Sequence, residues 1–404
     1  MKIFTIIIIF LTFQWLPQSI LPTEIFNPDN DYQQILNADN IGIEGNFIAI
    51  PLNIISPSNS SNINMLQLDN NTLLFYEELS KDIQFNQDSL LRNVFLKFSL
   101  YNLRENKTKA ERIVMQITDD AYHKIQLCNN QIVICYSDGY KTMDKSLQNI
   151  SEFTPLPDIL MFDNKENRLR FDYSFDDDMQ KIVWSSSIDG VCIYDLSTKQ
   201  NQQLLAPYNP IFYSEVLGGF ELLPSDALFM PTGNNIGFYL PALWGDSLGD
   251  FVILNLETGE LWTVEYGDSH NYVSCQPIRE QNKEYSIVCL DYENGYTYAL
   301  ADWRNKTVSK WLKLPNAPPY FKQNSVIYNN NYLAFLQEDT LELLLTNLAT
   351  SEQRRILKIT EPNLNFQIIG IIEDNRIIFV CQEDYWENDK RPLQYLLGIT
   401  PNNH

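Results

Sequence analysis

Short apolar runs recur along this chain, each set off by a polar turn that carries Asn or Asp. The turns and runs are LDNN-TLLFYEE, LCNN-QIVICYS, DDDMQ-KIVWSSS, TGNN-IGFYLP, EQNK-EYSIVCLD, YNNN-YLAFLQE and EDN-RIIFVCQE. Four to eight apolar, β-branched or aromatic residues between turn-formers read as a strand. The residues before the runs are Asn71, Asn130, Gln180, Asn235, Lys283, Asn331 and Asn375. The spacing ranges from 44 residues (Asn331 to Asn375) to 59 (Asn71 to Asn130). Repetition at such a period marks a repeat architecture.

Each run is followed by a second strand that ends on a polar corner, then a short turn and a third strand. Examples are VCIYDLSTKQNQQLLA, DFVILNLETGELWTVEY, YTYALADWRNKTVSKWLKL and LELLLTNLATSEQRRILKI, with corners at Asp195, Asn255, Asp302 and Asn347. Asn102 holds the same place in an earlier copy. In the second unit, YKTMDKSLQNI, the pattern is degenerate. Every unit thus supplies four strands, A to D. A four-stranded sheet cannot bury both faces alone, whereas stacked radially each covers its neighbours. The expected fold is all-β: a seven-bladed β-propeller with four-stranded blades, six or eight blades being the alternatives. The last unit, after IIFVCQED, offers only LQYLLGITP. NFIAIPLNI (Asn46 to Ile54) belongs to no unit, so it is expected to supply the missing outer strand. The organisation read from the chain is residues 1–23 as signal peptide or membrane anchor, 24–45 as linker and 46–404 as propeller.

Blocks such as GVCIYDLSTKQNQQLL and DFVILNLETGELWTV, each preceded by a polar A–B turn, resemble the TolB-like and WD40-like extracytoplasmic propellers. They are also similar to the propeller that precedes the catalytic domain of prolyl oligopeptidases. Asn-rich turns stand where that superfamily usually has Pro-Asp-Gly, and no G-H or W-D pair is present. The resemblance implies the fold and a role in binding. It implies no catalytic residue and no cofactor.

Composition sharpens this picture. Tyr and Phe, at 22 each, outnumber the 15 glycines, which favours strands joined by polar turns. The formal charge of -22 excludes nucleic acid as a natural partner, because phosphate binding needs Lys and Arg to displace counterions. The opening MKIFTIIIIFLTFQWLPQSI carries an apolar run, Ile3 to Leu16, too short for a comfortable membrane span and suited to a signal peptide. The expected location is outside the cytoplasm: secreted, periplasmic, or tethered to the outer side of a membrane through residues 3–16. A monomer is expected. Cys135, Cys289 and Cys381 sit in apolar strand patterns and read as buried hydrophobes, not as disulfide partners.

Candidate chemistry is sparse. Gly245-Asp246-Ser247-Leu248-Gly249 matches the nucleophile pattern G-x-S-x-G, and also G-D-S-L. A nucleophile elbow passes from strand into helix, but Phe251, Val252 and Ile253 continue as strand. A triad also needs a base. The three histidines are the C-terminal His404, His123 before an A strand of the second unit, and His270, 23 residues after Ser247 in a D–A loop that shares an end with the B–C loops. The alternative function is therefore a propeller hydrolase or lyase using Ser247 and His270 at the channel mouth. No Cys/His spacing suits zinc and no calcium loop or phosphate loop is present, so no metal and no cofactor are expected. FDDDM (Phe175 to Met179) reads as an acidic A–B turn. The sequons are Asn59, Asn70, Asn106, Asn149 and Asn305. What remains is a set of acidic, aromatic B–C loops, in which Trp244, Asp246, Asp291, Glu383, Asp384, Tyr385 and Trp386 form a candidate binding rim. The main expectation is a non-catalytic platform that takes a protein partner or ligand through this rim; a basic segment, a cation or a sugar would suit it.

Overall fold

The polar corners organise the fold. In a computed structural model of the chain, the corner side chain accepts backbone N–H groups from the turn that follows it. Asn102 Oδ1 takes Arg104 and Glu105 (3.0 and 2.9 Å), Asp195 Oδ1 takes Ser197 and Thr198 (2.9 and 2.8 Å), and Asn255 Oδ1 takes Glu257 and Thr258 (3.0 and 2.9 Å). Asn347 does the same with Ala349 and Thr350, and Asp302 with Asn305. Such Asx turns satisfy donors that the strand ladder leaves open. The residue four places after the corner is left-handed in several copies: Lys199 (φ 56°), Gly259 (φ 71°), Lys306 (φ 53°) and Ser351 (φ 63°). The second unit, degenerate in sequence, has its own corner. Asp144 accepts the N–H groups of Gln148 and Asn149. The Ser146 hydroxyl, followed by these donors, holds its carboxyl down at about 2.

The described residues lie between Ile43 and Thr400 and comprise thirty-two strands with the turns closest to them. Residues 1–42, 53–63, 82–91, 119–122, 158–171, 207–212, 215–219, 222–224, 241–249, 264–272, 276–284, 314–324, 329–331, 361–363, 373–375, 384–394 and 401–404 lie outside them, with a few single turn positions and pairs. The expected signal or anchor segment and most of the expected linker are therefore not described.

All described secondary structure is β, and the sheets are antiparallel. The first sheet holds Asn64–Asp69, Thr72–Lys81, Arg92–Asn102 and Lys107–Thr118 as its strands A to D. The second holds His123–Cys128, Gln131–Tyr136, Gly139–Asp144 and Thr154–Pro155, and the third Asp172–Phe175, Lys181–Ser186, Gly190–Asp195 and Gln200–Leu205. A two-stranded hairpin, Tyr213–Ser214 with Phe220–Glu221, precedes the fourth sheet of Ser225–Phe229, Asn235–Leu240, Asp250–Asn255 and Leu261–Thr263. The fifth is Val273–Cys275, Tyr285–Tyr292, Gly295–Asp302 and an interrupted outer edge, Thr307–Val308 and Leu312–Lys313. The sixth is Ser325–Tyr328, Tyr332–Gln337, Glu342–Asn347 and Gln353–Ile359; the seventh begins with Leu364–Ile371, Ile377–Glu383 and Tyr395–Ile399.

The outer strand of the seventh sheet comes from the other end of the sequence. Ile48–Leu52 runs antiparallel to Tyr395–Ile399, with Ile48 opposite Ile399 and Leu52 opposite Tyr395. Just before it, Ile43–Gly45 pairs with Gln353–Ile359 and makes the sixth sheet five-stranded. These three residues fall inside the stretch expected to be linker, so ordered structure begins earlier than residue 46. Together the two strands form a strap over the outer edges of two sheets. Ile43 is buried in the core between them, and Phe47 sets its ring edge-on to Phe379 at 5.5 Å. Gly45 sits where the strap comes closest. Its φ is +143°, and a Cβ there would lie 2.9 Å from Leu357 Cβ. Gly45→Ala is therefore expected to cost about 2 kcal/mol, read as a lower denaturant midpoint, because the backbone region excludes other residues and the neighbour is fixed.

Core clusters form between successive sheets, not within them. One joins the first to the second (Leu74, Phe98, Ile132), and others join the second to the third and the third to the fourth (Cys135 with Trp184; Val183 with Phe238). Phe251 and Trp303 join the fourth to the fifth at 4.5 Å between ring centroids. Tyr285–Tyr292 lies against Ser325–Tyr328 of the sixth. The sixth packs on the seventh through Leu343 and Phe379, and the seventh on the first through Ile378 and Leu73. This is a propeller-like arrangement: sheets stacked face to face, each made of consecutive strands apart from the strap strands added to the sixth and seventh.

Inner strands are also tied by hydrogen bonds. Gln126, 1% exposed, donates to the Phe175 carbonyl (2.6 Å) and accepts the Phe175 N–H (2.9 Å), joining the A strands of the second and third sheets. Gln126→Ala is expected to cost about 2 kcal/mol, since it leaves two buried backbone groups unpaired. Equal urea midpoints for parent and variant would show that the bridge contributes nothing. The described cysteines Cys128, Cys135, Cys192 and Cys381 are buried, and burial pushes the thiols of Cys192 and Cys381 up to about 12. They pack as small apolar groups.

Candidate functional site

In a four-stranded up-and-down sheet the A–B and C–D turns share one end and the B–C hairpin occupies the other. The corner bonds make this concrete. Leu103 N–H donates to the Asn71 carbonyl, Leu196 N–H to Gln180 and Leu256 N–H to Asn234, each at 2.8 Å, so C–D turns lock onto A–B turns. The candidate site is the opposite end.

Acidic residues recur there. In the second sheet the hairpin turn is Asp138-Gly139, with Asp138 exposed. Gly139 is required by crowding, since a Cβ would lie 2.3 Å from the Phe153 ring and 2.4 Å from the Thr154 carbonyl. Across the cleft, the Tyr173 hydroxyl of the third sheet donates to the Gly139 carbonyl at 2.6 Å and pins this turn. In the third sheet Asp189 precedes Gly190, whose φ is 75°. The Asp189 N–H donates to Ser186 Oγ (2.9 Å), the Ser186 hydroxyl donates to Asp189 Oδ2 (3.1 Å), and Gln203 Nε2 donates to the Asp189 carbonyl (2.9 Å). In the fifth sheet Asp291 lies one residue before the end of Tyr285–Tyr292. In the sixth Glu342 opens the third strand, its Oε1 3.2 Å from Arg355 Nη1. In the seventh Glu383 ends the second strand.

The first sheet differs. The stretch Glu77 to Asp88 reads as a loop in sequence, yet the strand continues to Lys81 and pairs residue for residue with Arg92–Asn102. Glu77 lies opposite Lys97 and is 6% exposed, and its Oε2 has no hydrogen-bond partner. Lys97 Nζ instead bonds Glu111 Oε1 at 3.1 Å, and Ser99 Oγ donates to the same oxygen at 3.2 Å. Burial pushes the Glu77 carboxyl up to about 7; Lys97 opposes this and Glu111 adds to it. This group carries a proton across much of the range in which ordinary carboxylates are charged.

Of the residues expected to form the rim, the structure places the backbones of Asp291 and Glu383 at the B–C ends of the fifth and seventh sheets. Trp244, Asp246, Asp384, Tyr385 and Trp386 lie outside the described residues, as do Ser247 and His270. Asp138, Asp189 and Glu342 escaped the sequence reading. The first two had a signal: Asp-Gly flanked by strand residues, in YSDGY and SIDGV, marks a tight hairpin. The acidic stretch Asp176 to Asp178 forms the A–B turn of the third sheet. Asp176 Oδ1 accepts the N–H groups of Gln180 and Lys181 (2.7 and 2.9 Å), and Asp178 accepts Asn129 Nδ2 at 2.8 Å. Among the described residues no group of three or more His, Cys, Asp or Glu is placed to hold a metal ion.

No protein-family model matches the chain, and no curated protein matches its sequence. Among solved structures, it is similar to an oligogalacturonate lyase in complex with manganese, at 11% identity and a TM-score of 0.44, covering 89% of this chain and 98% of that one. It is similar to an oligogalacturonate lyase of Vibrio parahaemolyticus at 10% identity and a TM-score of 0.46, covering 89% and 99%. The WD40 domain of Neurospora crassa Pan2 gives 10% identity and a TM-score of 0.43, over 80% of this chain and 90% of that domain.

Proposed function

We propose that the sheets form a seven-bladed ring and that the protein is a non-catalytic, exported binding platform whose B–C end docks a basic segment of a protein partner. The observation that carries the docking reading is the acid that recurs at this end in sheet after sheet: Asp138, Asp189, Asp291, Glu342 and Glu383. Each sits at or beside a hairpin turn, where the ladder fixes the backbone. Repeated negative charge on a rigid scaffold focuses a field that captures cations and speeds their encounter. The net charge of -22 adds to this. Support for the ring comes from the packing of the seventh sheet on the first and from the strap. Residues 1–23 serve as the export signal or as an outer-surface anchor, and the protein acts as a monomer in the manner of TolB-like and WD40-like propellers.

The test is binding of a hexalysine peptide to the full chain. Association is expected to slow about tenfold in the double variant Asp138→Lys/Asp291→Lys at low salt, with the difference shrinking as the Debye length falls below the span of the rim. Unchanged association, or equal binding of hexaglutamate, would remove the acidic end as the docking surface.

A further inference from the structure

The three sequons whose asparagines are among the described residues fall at one end of the sheets. Asn70-Asn71-Thr72 spans the A–B turn of the first sheet. Asn149-Ile150-Ser151 follows the corner Asp144 in the second, and Asn305-Lys306-Thr307 occupies the C–D turn of the fifth. All three lie at the end away from the acidic hairpins, and all three asparagines are exposed. The hydroxyl residues Ser151 and Thr307 are exposed as well. The B–C loops also contain asparagines, Asn86, Asn294 and Asn388, but none has Ser or Thr two places on. Turn chemistry explains asparagine at both ends; it does not explain why, among the described residues, the hydroxyl follows at the A–B/C–D end and not in the B–C loops.

The geometry leaves room for substitution. Asn149 Nδ2 donates to Asp144 Oδ2 at 2.6 Å, and Asn305 Nδ2 donates to Asp302 Oδ2 at 2.7 Å. A primary amide has two N–H bonds, and each of these interactions uses one. A glycosylated amide keeps a single N–H, enough for one such bond.

We propose that Asn70, Asn149 and Asn305 are N-glycosylation sites, and that their glycans clothe the A–B/C–D end while the acidic end stays bare for docking. The sugar donor is a polyprenyl-pyrophosphate-linked oligosaccharide. The amide nitrogen bonds to the anomeric carbon and loses one proton, and the bond from that carbon to the pyrophosphate oxygen breaks, releasing the lipid pyrophosphate. The inference rests on the proposed export. Asn106 and Asn59 carry sequons outside the described residues; Asn59, between the strap and the first sheet, belongs to the loop class of the acidic end and serves as the internal control.

The test uses the full chain secreted from cultured eukaryotic cells, behind its own N-terminus and, in parallel, behind an unrelated cleavable leader. Peptide mass analysis after N-glycosidase treatment is expected to find Asn70, Asn149 and Asn305 converted to Asp. Each Asn→Gln change should remove one step of gel mobility. If the unrelated leader delivers a modified chain while the native N-terminus does not, export by that segment fails and the sites stand. Chain recovered from the medium with these three peptides unmodified, or modified at Asn59 alone, overturns the proposal. Hexalysine affinity is expected to stay within about twofold on glycan removal, and a tenfold gain would place glycans over the docking end and overturn the division of faces.

Discussion

A chain beginning at Asn62 is expected to be less stable than one beginning at Ile43 by about 5 kcal/mol, read as a fall in the denaturant midpoint. The truncation removes both strands of the strap. It takes away the buried Ile43 side chain and uncovers Leu357 and Ile359, with which Ile43 shares a core. It also removes Phe47 from the edge of Phe379, whose ring stacks on Phe366 at 4.8 Å and covers Gly398 so closely that a Cβ there would lie 2.0 Å from it. Two rows of backbone partners, along Leu357–Ile359 and Tyr395–Ile399, become open edges. Since a typical domain holds only about 5–15 kcal/mol in total, the shortest chain should be marginal. A chain beginning at Asn46 keeps Ile48–Leu52 and loses Ile43–Gly45, so its midpoint should fall between the two. Equal midpoints for all three chains would mean that the strap merely lies on the surface.

Glu77→Gln is expected to stabilise the protein by roughly 3 kcal/mol at pH 8 and to change little at pH 4. Burial raises the Glu77 carboxyl from 4.5 to about 7, with Lys97 acting against the shift and Glu111 with it. A carboxyl whose folded value is raised contributes stability in full below its unfolded value, near 4.5. That contribution is lost as pH rises through 7, because the folded protein must then carry a buried charge whose Oε2 has no partner. The amide keeps the shape and removes the ionisation. The measurement is the difference between parent and variant across the window from pH 4 to pH 8, which cancels the titration of other carboxylates. A difference that does not grow with pH would show that Glu77 is solvated or paired in solution.

The repeat was legible because turns and strands obey local rules. Asn102, Asp195, Asn255, Asp302 and Asn347 could be found as corners from alternation and polarity alone, and they cap their turns as Asx chemistry requires. Asp144 was obscured because its turn is longer: the chain passes through Ser146 and a left-handed Leu147 (φ 62°) before Met143 meets Ile150. Ile43–Gly45 is three residues long and ends in glycine, which no periodicity detects; its strand character comes wholly from the edge it joins. Glu77 was read as loop because Glu-Glu-Leu-Ser is polar, yet pairing to Lys97 and its neighbours carries the strand onward to Lys81. Of the site, Asp291 and Glu383 were visible as acids ending apolar runs. Asp138 and Asp189 were hidden inside hairpins too short to look like loops.

The strap also sets a timetable. Leu52 pairs with Tyr395, 343 residues further along the chain. At about 5–20 residues per second, roughly 20–70 s of synthesis separate the two partners. Throughout that interval the growing protein carries an unpaired early strand and a first sheet whose Leu73 and Phe75 await Ile378. Sheets whose contacts are local can form as they emerge, but the last junction has the longest loop to close and the highest contact order. Assembly should therefore end in one late, slow step, and a newborn chain will depend on being shielded from other newborn chains until that step is taken.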